Sequence, residues 1–476
     1  DQYACELMNS SKKSTTTSEI TNSWQPQPEA GLAVQELLQA FLGRIDDLGQ
    51  LESQMLRHTG TRLGDWVDHF DLSSGFAGSG DWINRLLQVG YCRVETASSE
   101  VYEHSEGLFP IIQISEEPKC RLGIHVESVV DFLFAHKIQT PVIGRPLAAK
   151  RIAKVFESGE FEVWVIERHG VQCWNDLSPN PSGVEFERKM MEMREVFCLR
   201  NRLFDCASDG FGHALELIHK SIEVMGVGRS CDLFFEAERL YWQSRNRAAR
   251  IQKSRQDQLG LGWGNHDHHT YRSSRDCFAQ LVSVLETLGF ICRERFYAGP
   301  DAGWGAQVLE QPDCGIVVFA DVDLSEEELV GDFAHEGLAN GDSLGTVGLW
   351  CRLHGEAFLD AGMHHLECQF NYQAARKALN ADGIQCMDAF TNFDYLKQCF
   401  TEPEIWPVDP LRVERLKTEQ MISENEAAGF LENGAVGSHL EVLERNDGYK
   451  GFNQSGVSKI ISKTDPRKQL PVKPSI

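Results

Sequence analysis

The sequence predicts an α+β fold: βαβββ units used in tandem to build two open, curved, barrel-like halves, with a helical segment between them. Three observations predict it. Strand-sized apolar runs separated by single amphipathic helices recur before residue 174 and again after residue 263. Between them, residues 175–262 carry helical spacing and little strand signal. Finally, DWINRLLQVGYCRVETA (81–97) and DCFAQLVSVLETLGFICRERFYA (276–298) both run amphipathic helix, Gly, aromatic, Cys, Arg, strand, as a repeated unit would.

Taken in order, residues 1 to about 30 read as disordered, and 34–56 show helical periodicity through Leu37, Leu38, Phe41, Ile45, Leu48 and Leu51. This gives a first segment, 1–60, of disordered N-terminus and leading helix. The N-terminal β-rich domain, 61–174, reads as a strand at 66–72, a helix at 81–89 and strands at 91–96, 101–103 and 109–114. A second unit in it opens with a strand at 121–126 and closes with one at 162–168. The helical insert or linker, 175–262, has candidate helices near 184–204, 210–226 and 231–255. The C-terminal domain, 263–476, starts with a strand at 266–271, a helix at 275–288 and strands at 290–298, 304–310 and 315–320. Its second unit reads as a strand at 363–370, a helix near 371–381 and a closing strand at 439–444.

Composition narrows the function classes. Lys plus Arg number 46 against 70 Asp plus Glu, a formal charge of −24, with no basic stripe for nucleic acid. No apolar run approaches the roughly 20 residues of a membrane helix. The fourteen cysteines show no CxxC pair in a chain too long to need disulfide staples, which predicts free thiols in a reducing, cytoplasmic setting. The N-terminus lacks the basic-then-apolar pattern of a signal peptide, and a start at Asp1 leaves processing or truncation open. Oligomeric state, homo-oligomer included, is open too.

Three strand segments carry candidate metal donors: NHDHHT (265–270), GMHHLE (362–367) and SHLEVLER (438–445). Alternation along a strand puts His266 and His268 on one face, Met363, His365 and Glu367 on another, and His439, Glu441 and Leu443 on a third. Each segment can thus turn one donor inward. Two imidazoles and one carboxylate on one face of an octahedral metal leave three adjacent positions open, as non-haem Fe(II) oxygenases require. A fourth donor would come most naturally from the strand GIVVFA (315–320), which is apolar and offers none, so the pattern favours oxygen activation over a metal-dependent lyase or isomerase.

These segments resemble the 4-hydroxyphenylpyruvate dioxygenase family, of the vicinal-oxygen-chelate fold. The DHHT string (267–270) resembles the family's first ligand strand and GMHHL (362–366) its second. HLEVLERNDGYKGFNQSG (439–456) is similar to its closing ligand strand and the turn into the last helix. DPLRVERLKTEQMIS (409–423) and VWVIERHG (163–170) are weaker echoes. The likeness spans about 65–175 and 263–465. It implies that His268, His365 and Glu441 hold Fe(II), with His266, His269 and His364 as the alternative ligands and Glu444 as a solvated partner of Arg445.

The substrate positions that the resemblance implies depart from the family. Asp321 stands where the family has an Asn, Glu432 or Asn433 stands at the place of a Gln on the penultimate strand, Phe452 keeps one Phe, and Val457 replaces a second. Acidic groups at the amide positions argue against 4-hydroxyphenylpyruvate itself, since they would repel an added anion. Asp321 also suits a turn cap, and Phe452 suits core packing. The resemblance implies an O₂-dependent enzyme that binds a small 2-oxo acid or related chelating molecule. The alternatives are extradiol ring cleavage with His266 or His269 as base, a catalytically silent small-molecule binder, and a zinc or nickel lyase or isomerase.

Overall fold

The structure is a computed structural model that describes residues 24–79, 81–94, 100–173, 183–339, 341, 344–453, 456–457, 460–461 and 464–469. The disordered start expected for residues 1 to about 30 lies mostly outside the described residues. Its described end enters the helix Pro28–Leu42, begun by Pro28 in the first turn, where the missing N–H costs nothing. The single leading helix expected over 34–56 is two helices. GRI (43–45) breaks it, and Asp46–His58 follows with two acidic residues in its first turn and Arg57 and His58 in its last, matching the helix dipole.

The N-terminal sheet comprises β1 (Val67–Ser73), β2 (Tyr91–Val94), β3 (Glu100–His104), β4 (Ile111–Ser115), β5 (Cys120–His125), β6 (Lys150–Ser158) and β7 (Phe161–Arg168) in the order 2-3-4-1-5-7-6. The C-terminal sheet comprises β8 (His266–Arg272), β9 (Ile291–Tyr297), β10 (Trp304–Gln311), β11 (Ile316–Asp323), β12 (His365–Gln369), β13 (Thr391–Phe393), β14 (Leu396–Phe400), β15 (Glu404–Trp406) and β16 (Ala435–Arg445). Its order is 13-14-16-12-8-11-10-9, with β15 also on β16.

The two sheets share one plan. Each has an antiparallel central pair, β1 with β5 and β8 with β12, made by the first strands of two units. On either side lies the last strand of the same unit, parallel to its first: β4 beside β1, β7 beside β5, β11 beside β8 and β16 beside β12. This is the tandem arrangement expected from sequence, with neither sheet closed into a barrel. The second N-terminal unit holds only β5, β6 and β7.

The back faces of the sheets are closed by different helices. Leu37, Phe41, Leu48 and Met55 of the two leading helices pack with Phe70, Ile124, Phe161 and Val163. The helices Val184–Leu199, Ala207–Met225, Val227–Ser244 and Arg247–Gln258 are no free linker. Phe197, Phe211, Phe234, Phe235 and Trp242 share one core with Tyr271, Phe278, Leu285 and Phe358 of the C-terminal half. A buried ionic knot ties them to it. Glu238 accepts from Arg200 at 2.7 Å and Arg202 at 2.6 Å, and those arginines donate in turn to the carbonyls of Phe358 and Leu359. No described helix is long and apolar enough to cross a membrane, and the thirteen described cysteines are all free.

Removing one partner from such a knot leaves buried guanidinium groups uncompensated, at a cost of about 3–5 kcal/mol. Glu238→Ala is therefore expected to lower the melting temperature markedly. The exposed control Glu216→Ala, whose partner is Lys220 on the helix surface, is expected to move it little.

Candidate functional site

The antiparallel register of β8 with β12 sets Glu367 opposite His268 and His365 opposite Thr270. The parallel register of β12 with β16 sets Glu441 beside Glu367. His268, His365, Glu367 and Glu441 are thereby brought to one point on the front of the sheet, all of them buried. His365 Nε2 lies 2.7 Å from Glu367 Oε1 and 3.4 Å from Glu441 Oε2, and His268 Nε2 lies 3.3 Å from the same Glu367 oxygen. Of the three residues that the family likeness implies, His365 and Glu441 converge with Glu367, their donor atoms all within 4.8 Å of one another, while His268 reaches that group through Glu367 Oε1. Glu367 is a donor that the likeness did not name, from β12 rather than from β11. Alternation already placed it on the face of His365, two residues along.

Neighbouring side chains hold the four in place. Thr270 donates to Glu367 Oε1 at 2.9 Å, and Gln398 on β14 donates to Glu441 Oε1 at 2.8 Å. Asp267 faces His268 Nδ1 at 2.5 Å and accepts from Arg445 at 3.1 Å, while Arg445 also donates to the carbonyls of Tyr449 and Gly451. Asp267 can do so because it is the extra residue of a β-bulge: Glu367 opposes His268, but Cys368 opposes His266.

The bulge overturns the simple alternation read from sequence. His266 and His268 do not share a face. His266 and His269 lie together behind the sheet, their rings 5.3 Å apart, with His269 against Phe235. Neither reaches the cluster as an alternative ligand or as the base that ring cleavage needs. His364 meets His365 Nδ1 to Nδ1 at 2.6 Å and packs on Trp350 and His439, so it braces His365 from the side. Glu444 is no solvated partner of Arg445. It is buried and accepts from the backbone N–H of Tyr372 at the start of a helix.

Around the donors is a cavity of about 50 Å³ walled by Trp304, Phe319, Phe390, Phe400, Phe452 and Val457. Asp321, Phe452 and Val457 line it. Glu432 and Asn433 do not. They end the helix Glu424–Asn433 at the surface, and the glutamine that borders the cavity is Gln398, on the short strand β14. Also unforeseen is Arg272, four residues along β8 from His268. It is 1% exposed, its Nε and Nη1 make no hydrogen bond, and Asp321 Oδ2 stands 3.9 Å away.

Burial pushes the Asp321 carboxyl up to about 7 despite Arg272. Burial and the charge of Glu367 likewise lift Glu441 to about 7. For His365 burial acts the other way, but the Glu367 and Glu441 carboxylates outweigh it and hold the imidazole up at about 9.

The N-terminal sheet repeats part of this site. Asp68, again a bulge residue, faces His69 Nδ1 at 2.8 Å and accepts from Arg168 at 2.7 Å, just as Asp267 serves His268 and Arg445. By register Gly123, Trp164 and Arg121 take the places of Glu367, Glu441 and His365. A Cβ on Gly123 would fall 3.0 Å from the His69 ring, so no carboxylate fits there. The orienting group survives without counterparts of Glu367, Glu441 and His365, and Cys173 brings a thiol beside Asp68 and His69 instead.

No family model and no curated protein matches the chain. Solved structures do. A mutant 4-hydroxymandelate synthase from Streptomyces coelicolor is 10% identical, covering 85% of this chain and 100% of its own, with a TM-score of 0.28. A xylose isomerase-like TIM barrel/4-hydroxyphenylpyruvate dioxygenase fusion protein is 10% identical over 84% of this chain and 52% of its own, TM-score 0.24. Methylmalonyl-CoA epimerase from Mycobacterium tuberculosis is 14% identical over 38% and 88%, TM-score 0.22. These overlaps are shallow. What the strand order of the two sheets shows is a mixed α+β architecture of tandem units, with neither sheet closed.

With its raised folded-state value, the His365 proton stabilises the metal-free fold below an unfolded value near 6.5, and that contribution fades as pH rises through about 9. In metal-free protein, histidine NMR should show one imidazole titrating near 9. Glu441→Gln should bring it down, because an attracting carboxylate has gone.

Proposed function

We propose that this chain is a metal-dependent oxygenase. In this reading Fe(II) is held by His268, His365 and Glu441, and a small 2-oxo acid or similar chelating molecule is oxidised with O₂. The observation that carries the reading is the pairing of convergent donors with Arg272, a buried guanidinium in the same cavity whose Nε and Nη1 lack partners. A buried polar group left unpaired calls for a ligand, and a guanidinium is matched in charge and geometry by a carboxylate.

The donor chemistry suits such a metal: His365, Glu367 and Glu441 converge, His268 Nε2 stands 3.3 Å from Glu367 Oε1, and Glu367 Oε2 is buried with no hydrogen-bond partner. When bound, Fe(II) would offer adjacent positions for a chelating substrate and O₂. The residues supply the rest. Asp267 and Arg445 fix the ring of His268, and Gln398 fixes the carboxylate of Glu441. Phe319, Phe400 and Phe452 exclude water, and Arg272 orients the substrate carboxylate against Asp321. This answers the repulsion expected from the acidic positions, since only Asp321 borders the cavity and burial favours its neutral form.

Glu367 supports a second reading. If it coordinates too, two histidines and two carboxylates leave less room for O₂, as suits a zinc or nickel lyase or isomerase.

Anaerobic Fe(II) reconstitution followed by O₂ uptake across 2-oxo acids and catechols separates the readings. Wild type should hold one iron and consume O₂ with a 2-oxo acid, while Glu441→Ala should lose both. Full iron content and turnover in Glu441→Ala would sink the assignment. Metal-dependent proton exchange without O₂ uptake, abolished in Glu367→Gln, would establish the second reading instead. Arg272→Met should raise KM for 2-oxo acids about 10–100-fold, the worth of one charged hydrogen bond, and leave catechols little changed.

A further inference from the structure

A second and larger cavity, about 510 Å³, lies behind the metal strand. The helix Val227–Ser244, the ends of β5 and β7, and the start of β8 enclose it. Its volume is in the range of small-molecule sites. Nothing in the proposed oxygenase chemistry uses it.

The helix turns a polar stripe into this space. Arg229, Asp232, Glu236, Arg239 and Gln243 recur at intervals of three and four, one face of an α-helix. Most of the acids around the cavity are already engaged. Glu167 holds Arg151 at 3.1 Å, Glu127 holds Lys253 at 2.8 Å, Asp232 holds His169 at 2.9 Å, and Glu236 is paired with Arg194.

Two cations are left over. Arg229 is 9% exposed; its Nε donates to Met190 Sδ at 3.2 Å, but its Nη1 makes no hydrogen bond and has only a loose ion pair with Asp232 at 3.9 Å. Arg239 has no hydrogen-bond or ion-pair partner among the described residues. On the opposite wall His266 Nδ1 donates to the carbonyl of Trp263 at 3.0 Å, which leaves its buried, unpartnered Nε2 as an acceptor. A buried guanidinium without a partner costs free energy that an anion would recover.

We propose that this cavity binds a small hydroxylated organic anion, a carboxylate or a phosphate ester. Arg239 holds its charged group and a ligand hydroxyl donates to His266 Nε2, while Arg229, ten residues earlier on the helix, adds positive charge at the far end of the cavity. Met190, Leu233 and Trp263 supply the apolar part of the wall.

Glycerol 2-phosphate, malate and inorganic phosphate, titrated calorimetrically into the full chain at constant ionic strength, test this. At least one of the two hydroxylated anions should bind saturably and more tightly than inorganic phosphate, and Arg239→Gln should weaken it at least about tenfold, one charged contact. A measurement on wild type alone guards against a misfolded variant. The bound anion should slow alkylation of Cys314, which lines the cavity, but not of exposed Cys92. Absence of saturation with both hydroxylated anions below about 10 mM would overturn the proposal. Binding that Arg239→Gln leaves unchanged, with Cys314 unprotected, would do the same.

Discussion

The antiparallel pairing of β8 with β12 is the constraint on which the rest of the C-terminal half depends. Neither strand carries a complete donor set. Brought together in register, they place His268 opposite Glu367 and His365 opposite Thr270, and the parallel docking of β16 then delivers Glu441. A slip of one residue would send every one of these side chains to the other face. That register is held by what each face requires: Leu366, Cys368, Leu440 and Val442 must pack into the core behind the sheet, so the polar donors must point forward.

Burial on this scale makes the cluster electrostatically demanding. Two imidazoles and two carboxylates share a space from which bulk water is excluded, and there His365 and Glu441 are pushed up while, against its burial, the neighbouring imidazoles hold Glu367 down. The surroundings meet this with the neutral donors Thr270 and Gln398 on the carboxylates and with the Asp267–Arg445 pair on His268. Arg272 stands 3.9 Å from Asp321, a loose ion pair without a hydrogen bond. A polar pocket with spare donors on one side and an aromatic wall on the other is suited to hold a ligand that has a charged end and an apolar body.

Much of this was legible in the chain. The two β-rich halves, the repeat between 81–97 and 276–298, and the three donor strands follow from periodicity and local motifs. What was not legible has physical causes. A β-bulge at Asp267 leaves no mark in residue type, so His266 was assigned the face of His268. Strands of three to five residues such as β13, β14 and β15 are too short to show alternation, which hid Gln398 and left Glu432 and Asn433 as its stand-ins. Glu367 is visible in the sequence as a same-face neighbour of His365, whereas Arg272 lies outside the three donor motifs. Only the cross-strand register shows that they share one cavity.

The N-terminal copy of the orienting group bears on how the working half is built. Asp68, His69 and Arg168 keep their mutual geometry where Glu367, Glu441 and His365 have no like counterpart. The aspartate, histidine and arginine are thus a property of the bulged strand pair itself and do not need those three donors to assemble them. In the C-terminal half the same scaffold arrives already formed, so the first imidazole is aimed before any metal enters. The entropy of fixing that ring is spent during folding, and a metal would meet a half-built socket instead of having to gather loose side chains.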